Sequence, residues 1–290
     1  GQLRVWRMDT LHRLPRVPFR DACKFAAAGT KLFDAYVAAE GQPDILHAHA
    51  ALYGGVLAKR LSARRGVPFV LTEHSTDFAQ GKHRWWQKRL VSGVLAAAAA
   101  RLAVSPQLRD ILLDQYAAQA DPTTVVPNIL TPAFEDKAPG GPFVFLCAAR
   151  ISAEKNQEGL IRAFAQAFPP GGAGPDVELH FVGSGDGGPL LRLAGDLGIV
   201  DRVKVIGLLP AADVRRAMAA ADVVVLPSFV ETFGVVVIEA LSQGAPVVAT
   251  ICGGPEGILT PDSGILVPPG DDPAMARALR DMHGRAASFD

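Results

Sequence analysis

The sequence lacks the long apolar run that a membrane-spanning helix requires. Such a helix needs roughly 20 consecutive apolar residues, and the longest candidate, Val91 to Val104, is interrupted by Arg101. No basic segment followed by an apolar one opens the chain, so no secretory signal is visible. These absences predict a globular cytoplasmic protein that does not cross a membrane.

Cysteine is also scarce. The chain contains three cysteines, Cys23, Cys147 and Cys252, which are odd in number and far apart in sequence. This usage favours reduced, buried thiols over disulfides or a zinc site.

Net charge is absent as well, but the charges are unevenly distributed. Residues 1–137 hold 18 Lys and Arg against 12 Asp and Glu, whereas residues 138–290 hold 11 against 17. A basic first half is suited to an anionic acceptor or to anionic lipid headgroups on the inner face of a membrane. Because the positive charges are scattered, an ordinary solvated surface is an equally good interpretation.

Short apolar runs alternate with amphipathic stretches of helical length. Residues 1–40 indicate one strand, LRVWRM, and one helix from Phe19 to Ala39. The strands predicted after them are DILHAHA, PFVLTEH, RLAVS and TTVVPN, then FVFLCAA, VELHFVG, RVKVIG, DVVVLPS and APVVAT. In the first half the helical patterns lie near 52–65, 83–98 and 106–118. This alternation predicts the α/β class, with parallel strands covered by helices on both faces.

The segment TPAFEDKAPGGP, residues 131–142, is rich in proline, glycine and charge and is typical of a linker. It divides the chain into domains at 1–130 and 143–290, predicted to be two Rossmann-like, doubly wound domains that face a cleft. Ligands of such sheets bind beyond the carboxyl ends of the strands.

Two glutamates, Glu231 and Glu239, follow the strand DVVVLPS in the segment FVETFGVVVIEALSQG. Thr232 to Val235 are predicted to open a helix whose free amides and dipole favour a phosphate, and Gly234 lets a ligand approach the backbone. Glu239 has apolar neighbours and no cation at helical spacing, so a sugar diol is a candidate partner. The alternative is that Glu231 is a helix-start charge and Glu239 a solvated side chain.

Cations follow the strand FVFLCAA. Arg150 ends the strand and Lys155 is predicted at the start of the next helix, where a cation opposes the helix dipole and is better explained by a bound diphosphate. A surface charge network of Lys155 with Glu154 and Glu158 is the alternative.

The loop SGDGG superficially resembles a dinucleotide fingerprint. It follows the domain's second predicted strand, and the next strand, RVKVIG, ends without an acidic residue, so that interpretation is weak. Gly183 and Gly185 are instead predicted to form a tight turn lining a nucleotide site.

Together these segments resemble the retaining glycosyltransferases of family 4, which have the GT-B fold. The matching pieces are ARISAEKN, HFVGSGDGGPLLRLAGDLGI, GLLP, ADVVVLPSFVETFGVVVIEALSQGAPVVAT, GGPEGI and GILVPPGD, within residues 43–280. The resemblance implies that Arg150 and Lys155 contact the donor diphosphate, Glu239 the ribose and Glu231 the transferred sugar. It also implies donor contacts from Gly183, Gly185, Leu208, Thr232, Phe233, Gly234 and Val235.

In the first half, LTEHSTDF matches the family segment whose histidine faces the reaction centre, here His74. His47 and His49 share one strand face and are predicted to be structural, because no third metal ligand is evident. Ser105 and Asn128 are lesser candidates for lining the cleft.

The sequence departs from the family pattern at its start. No strand with a glycine-rich loop precedes Gly41, which predicts that the first domain is incomplete, and the chain stops before the family's long final helices.

The function implied is retaining transfer of a hexose-type sugar from a nucleoside-diphosphate sugar to a carbohydrate or lipid-linked acceptor, in polysaccharide, lipopolysaccharide or glycolipid synthesis. No metal, cofactor or nucleic acid is expected. The alternatives are a nucleotide-sugar epimerase of the same fold, a dinucleotide-dependent oxidoreductase and a non-catalytic nucleotide-sugar-binding module.

Overall fold

The computed structural model describes residues 4–9, 18–116, 123–130, 133–135, 140–171 and 176–285. The chain divides into two compact units, residues 1–127 and 128–290, each built around its own parallel sheet.

The first unit contains four parallel strands in the order β1-β2-β3-β4. Its elements are α1 (Pro18–Glu40), β1 (Leu46–His49), α2 (Val56–Arg65), β2 (Phe69–Glu73), α3 (Trp85–Ala97), β3 (Ala100–Ala103), α4 (Pro106–Tyr116) and β4 (Thr123–Val125). Residues Val91, Val94 and Leu95 recur at helical spacing and are buried, which fixes the inner face of α3. Strand, helix and strand therefore alternate in the order predicted.

Two local predictions for this unit are wrong. Residues 4–8 of LRVWRM form no strand, and no strand within the described ranges pairs with them. Trp6 instead packs edge-on against Tyr36 of α1, with ring centroids 6.1 Å apart. The helix predicted from residue 52 begins at Val56, because a turn at Ala51–Gly55 with a positive φ of 69° at Tyr53 precedes it.

The second unit contains six parallel strands in the order β10-β9-β8-β5-β6-β7. Its strands are β5 (Phe143–Ala148), β6 (Val177–Val182), β7 (Val203–Gly207), β8 (Val223–Leu226), β9 (Val247–Thr250) and β10 (Gly264–Val267). Its helices are α5 (Gln157–Ala167), α6 (Gly188–Asp196), α7 (Ala211–Ala220), α8 (Val235–Ser242) and α9 (Asp272–Arg285). The strand order reverses between β5 and β8, which makes that point the topological switch of the sheet.

Both faces of this second sheet are buried, as the continuous apolar strands predict. Along β8, Val223 and Val225 join the cluster that packs on α5 and α9, whereas Val224 and Leu226 join the cluster that packs on α7 and α8. A strand between two helical layers has no polar face, which explains the sequence VVVL.

The thiol prediction holds at two positions and fails at one. Cys147 and Cys252 are buried and unpaired, but Cys23 is exposed on α1. Burial raises the pKa of each buried thiol to about 12. Separately, no helix in the described ranges is both long enough and apolar enough to cross a bilayer.

Candidate functional site

An ion pair lies at the switch point of the second sheet. Lys155 follows β5 and Glu231 follows β8, and their Nζ and Oε1 atoms are 2.5 Å apart. The hydroxyl of Ser228 donates to the same Glu231 oxygen at 2.8 Å. The two charged side chains are only 23% and 11% exposed, so each needs the other to offset the cost of losing water.

The loop after β5 carries the second predicted cation. Arg150 is exposed, and its guanidinium has no hydrogen bond or ion pair with any residue in the described ranges. Its carbonyl accepts from Gln157 at 2.9 Å, which ties the loop to the first turn of α5. Lys155 lies in a single 3₁₀ turn, Ala153–Lys155, ahead of α5 rather than inside it. The Lys155 ammonium forms its ion pair with Glu231 of another loop. This long-range pair differs from the alternative interpretation, a surface network of Lys155 with Glu154 and Glu158.

Helix α8 begins later than predicted. It starts at Val235, and its N-cap is Gly234 with φ of 82°, so Thr232 and Phe233 precede the helix. A left-handed residue cannot continue a right-handed helix, which explains the shift of three residues. The first amides of α8 nevertheless follow β8 at the switch point, where a phosphate would meet them.

Glu239 is half-buried in α8, and its carboxylate has no hydrogen bond or ion pair among the residues that the structure describes. Burial raises the pKa of Glu239, and the positive charge of Arg215 on the neighbouring helix α7 opposes that rise. No cation lies at helical spacing within α8, as predicted, and Arg215 comes from a different element, so the spacing of charges along α8 does not indicate it. A half-buried carboxylate without a hydrogen bond is suited to accept from ligand hydroxyls.

The loop after β9 braces the loop that carries Glu231. The backbone carbonyl of Cys252 accepts from the Glu231 amide at 2.9 Å. A Cβ at Gly253, whose φ is 110°, would lie 2.6 Å from the Glu231 carbonyl oxygen. Glu256 accepts from the Gly253 amide at 2.8 Å. The sequence signal for this close approach is the pair of adjacent glycines in GGPEG, a segment that was interpreted only through its family resemblance.

Glycines also let the loop after β6 approach the loop after β5. A Cβ on Gly183 would lie 2.1 Å from the Ala149 carbonyl oxygen, and one on Gly185 would lie 2.8 Å from Ile151 Cβ. Both glycines have positive φ, so they form the tight turn that the sequence favours. Leu208 follows β7 and is 77% exposed.

In the first unit, two histidines meet where β1 and β2 end. His49 Nδ1 and His74 Nε2 are 2.9 Å apart, and His47 Nε2 lies 2.7 Å from the Thr72 hydroxyl. Partial burial, and then the neighbouring imidazoles, lower the pKa of His74. The pKa of His49 is lowered by burial and by His47. The sequence assigned His47 and His49 purely structural roles, whereas the structure joins His49 to His74.

Glu73 positions the backbone beside His74. It is fully buried, and its two oxygens accept from the amides of His74 and Ser75 at 2.8 Å and of Ala51 at 2.6 Å. Burial raises the pKa of Glu73, and these backbone hydrogen bonds oppose the rise.

Ser105 and Asn128, the lesser candidates for lining the cleft, occupy positions typical of structural residues. The Ser105 hydroxyl accepts from the Leu108 amide at 3.1 Å and so caps α4, and Asn128 is half-buried at the start of the second unit. In the described part of the chain, no three His, Cys, Asp or Glu side chains form a group that could hold a metal ion.

Two family models match this chain. The model described as glycosyl transferases group 1 matches residues 132–283, and the model described as glycosyltransferase family 4 matches residues 3–133. The D-inositol 3-phosphate glycosyltransferase 1 of Catenulispora acidiphila is 36% identical over 286 residues, which cover 87% of this chain and 67% of the relative. The chain spans 54% to 71% of the length of eight such curated relatives.

Solved structures show the same fold. Sucrose-phosphate synthase from Thermosynechococcus elongatus superposes with a TM-score of 0.82 at 25% identity, covering 98% of this chain and 74% of the synthase. Anabaena HepE in complex with UDP-glucose gives a TM-score of 0.75 at 24% identity, covering 89% of this chain and 74% of HepE. The two parallel-sheet units are therefore those of the GT-B glycosyltransferase fold.

Proposed function

Because the chain belongs to the glycosyl transferases group 1 family, we propose that it transfers a sugar from a nucleoside-diphosphate sugar to an acceptor hydroxyl. The observation that carries this proposal is the Lys155–Glu231 pair, which joins the two loops at the switch point of the second sheet. Doubly wound sheets bind their ligands at that place.

Positively charged groups would hold the diphosphate of the donor, and carboxylates would accept hydrogen bonds from its ribose and sugar hydroxyls. Arg150, Lys155 and the first amides of α8 suit a diphosphate, and Glu239 suits a ribose diol because its carboxylate is half-buried without a hydrogen bond. Glu231 would accept from hydroxyls of the transferred sugar while its pairing with Lys155 fixes its position. HepE was solved with UDP and with UDP-glucose, which supports a nucleotide-sugar donor.

The proposed reaction is retaining and needs no divalent metal. The bond between the anomeric carbon and the diphosphate oxygen breaks, and the acceptor oxygen attacks the same face while its proton passes to the departing diphosphate. Arg150, Lys155 and the start of α8 would stabilise the negative charge that develops on the leaving oxygen. His74, whose lowered pKa favours the neutral imidazole, would hydrogen-bond a sugar hydroxyl.

Isothermal titration with UDP and with uridine tests the donor site. We expect Lys155→Met and Arg150→Ala each to weaken UDP binding roughly 10- to 100-fold, the range of one hydrogen bond to a charged group, and to leave uridine binding unchanged. Lys204→Met is the matched control, because Lys204 pairs with Glu178 on the same sheet away from the switch point.

Equal losses for UDP and uridine, or an equal loss in the control, would contradict the diphosphate assignment. The family matches do not favour the epimerase alternative. A radiolabelled transfer assay with and without acceptor separates that alternative directly, since an epimerase turns over without an acceptor.

A further inference from the structure

The carboxyl ends of β1 and β2 bring two imidazoles together. The strands are parallel neighbours, with His49 in register with Thr72, and His74 directly follows the last residue of β2. His49 Nδ1 and His74 Nε2 are 2.9 Å apart, whereas the two ring centroids are 5.1 Å apart. That centroid distance is close to the greatest that such a nitrogen contact permits, so the rings meet edge to edge at hydrogen-bonding distance.

A contact of this kind places one proton between the two rings. A neutral imidazole carries one N–H and one acceptor nitrogen, and burial lowers the pKa of both His49 and His74, which favours the neutral form. Two facing N–H groups would repel each other, as would two facing lone pairs. If His49 carries its proton on Nδ1, His74 therefore carries its own on Nδ1 as well. If His49 carries it on Nε2, His74 does the same.

The backbone after β1 holds His49 in this position. A Cβ on Gly54 would lie 2.4 Å from the His49 carbonyl oxygen, so glycine is required where the loop folds back on the strand. Ala50 has a φ of 65°, a conformation that residues other than glycine rarely adopt, and its amide donates to the Thr72 carbonyl at 2.9 Å. Strain of this kind persists only where the surrounding structure enforces it, and it is typical of functional sites.

One buried carboxylate fixes the loops that carry both rings. Glu73 accepts from the His74 amide through one oxygen and, through the other, from the amide of Ala51, two residues after His49. On its other side, His49 meets the ring of His47, with centroids 4.4 Å apart. His49 itself is exposed, so packing in the core does not explain why its ring is held against His74.

We propose that His49 is a positioning residue that fixes the ring orientation and the tautomer of His74. The hydrogen bond made by one imidazole nitrogen decides whether the other nitrogen donates or accepts. His49 thereby determines, before any ligand arrives, which kind of hydrogen bond His74 offers to a hydroxyl. This inference rests on the proposed function only for that last step, since the tautomers of the pair can be measured on the protein alone.

Nitrogen-15 NMR of protein with labelled histidines reads the tautomer of each imidazole. The seven histidines are assigned by replacing them one at a time. We expect His49 and His74 to carry their protons on the same atom, both on Nδ1 or both on Nε2. His49→Phe keeps a ring but removes the hydrogen bond, so His74 should then populate both tautomers. His49→Asn is the conservative variant, because its amide reaches the position of Nδ1, and it should keep one tautomer at His74.

Titration calorimetry with UDP-glucose and with UDP connects the pair to the donor. We expect His49→Phe to weaken UDP-glucose binding roughly two- to tenfold, the range of one neutral hydrogen bond, and to leave UDP binding unchanged. His49→Asn should bind both ligands as the wild type does. His180→Phe is the matched control, because it breaks another short histidine contact, 2.6 Å from Nε2 to Glu178 in the second unit. It should change neither the His74 spectrum nor UDP-glucose binding.

Protons on different atoms of His49 and His74 would overturn the proposal, because the facing nitrogens could then not be bonded. So would a His74 spectrum or a UDP-glucose affinity that His49→Phe leaves unchanged, or one that His180→Phe changes equally. Melting temperatures of the three variants check that the fold is kept. A wild type with matched tautomers that binds no UDP-glucose would instead contradict the proposed donor, so the two proposals fail separately.

Discussion

Glu231 and Glu239 lie eight residues apart in sequence yet meet different surroundings. Glu231 is held by an ammonium and a hydroxyl, Lys155 and Ser228, whereas Glu239 is half-buried with only the more distant charge of Arg215 to favour ionisation. The first carboxylate is positioned before any ligand arrives. The second bears a desolvation cost that a bound diol would relieve.

That cost gives Glu239 a stability signature. Its pKa is raised in the folded protein above the ordinary 4.5, so the folded state binds the proton more tightly, and stability is lost as pH rises above about 4.5. We expect Glu239→Gln to melt at a higher temperature than the wild type at neutral pH, with the difference vanishing as pH falls towards 4.5. The same variant should bind UDP roughly tenfold more weakly, because a carboxylate acceptor is lost. Thermal melts across pH, together with titration, measure both effects.

Glu178 provides the contrasting control. Burial alone would raise its pKa, but hydrogen bonds from Lys204 and His180 lower it, so its ionised form stabilises the fold above the ordinary value of 4.5 and that contribution is lost as pH falls. Glu178→Gln should therefore melt lower than the wild type at neutral pH and leave UDP affinity unchanged. A Glu239→Gln variant that melts lower and binds UDP normally would show that Glu239 is only a structural side chain.

At the scale of elements, the loops after β8 and β9 act as one support. Gly253 approaches the Glu231 carbonyl so closely that only glycine fits, and its φ of 110° also excludes other residues. Since Glu231 pairs with Lys155, a shift of this support would move both charged side chains together.

Gly253→Ala tests that support. The added Cβ would lie 2.6 Å from the Glu231 carbonyl oxygen, so we expect a loss of stability of about 1–3 kcal/mol from strain and weaker binding of UDP-glucose. Gly257→Ala is the control on the same loop, because a Cβ there meets nothing within 4 Å. Denaturant titration and calorimetry give the two quantities. Equal stability and equal UDP-glucose affinity in the two variants would contradict a supporting role for Gly253.

Elements were predictable from the sequence where the apolar or polar character of their residues matches the burial of those residues in the fold. A run such as VVVL is apolar throughout because both faces of β8 are buried, and the carboxyl end of that strand marks the site. LRVWRM also has the composition of a strand, although two arginines interrupt it, but a strand needs a partner as well, which a local pattern does not contain. The start of α8 was misplaced because Gly234 adopts a left-handed conformation.

Contacts between elements were beyond local patterns. The Lys155–Glu231 pair, the approach of Arg215 to Glu239 and the bond between His49 and His74 each join residues from different elements. The order of strands would have indicated two of them, since β5 neighbours β8 and β1 neighbours β2. The order of strands does not indicate which side chains of neighbouring helices approach each other, as Arg215 and Glu239 do.

At the scale of the whole molecule, the contacts proposed for the nucleoside diphosphate all belong to the second unit, whereas His74 of the first unit is proposed to contact a sugar hydroxyl. Arg150, Lys155, Glu231 and Glu239 lie within residues 128–290, and the loops that carry or brace them follow β5, β8 and β9. A nucleoside diphosphate without its sugar should therefore engage this unit and leave the amides around His74 unaffected. His74 should respond only when a sugar or an acceptor is present.

Hydrogen exchange followed by mass spectrometry measures which of the two units responds to each ligand. We expect UDP to slow exchange in residues 149–156, 229–237 and 251–257, because a bound ligand stabilises the closed form of loops that contact it. Residues 46–51 and 72–76 of the first unit should exchange at the same rate with and without UDP. UDP-glucose added to the Lys155→Met variant should protect all of these segments less than in the wild type. Protection by UDP at His74, with none after β5 and β8, would place the diphosphate in the first unit and contradict the site proposed.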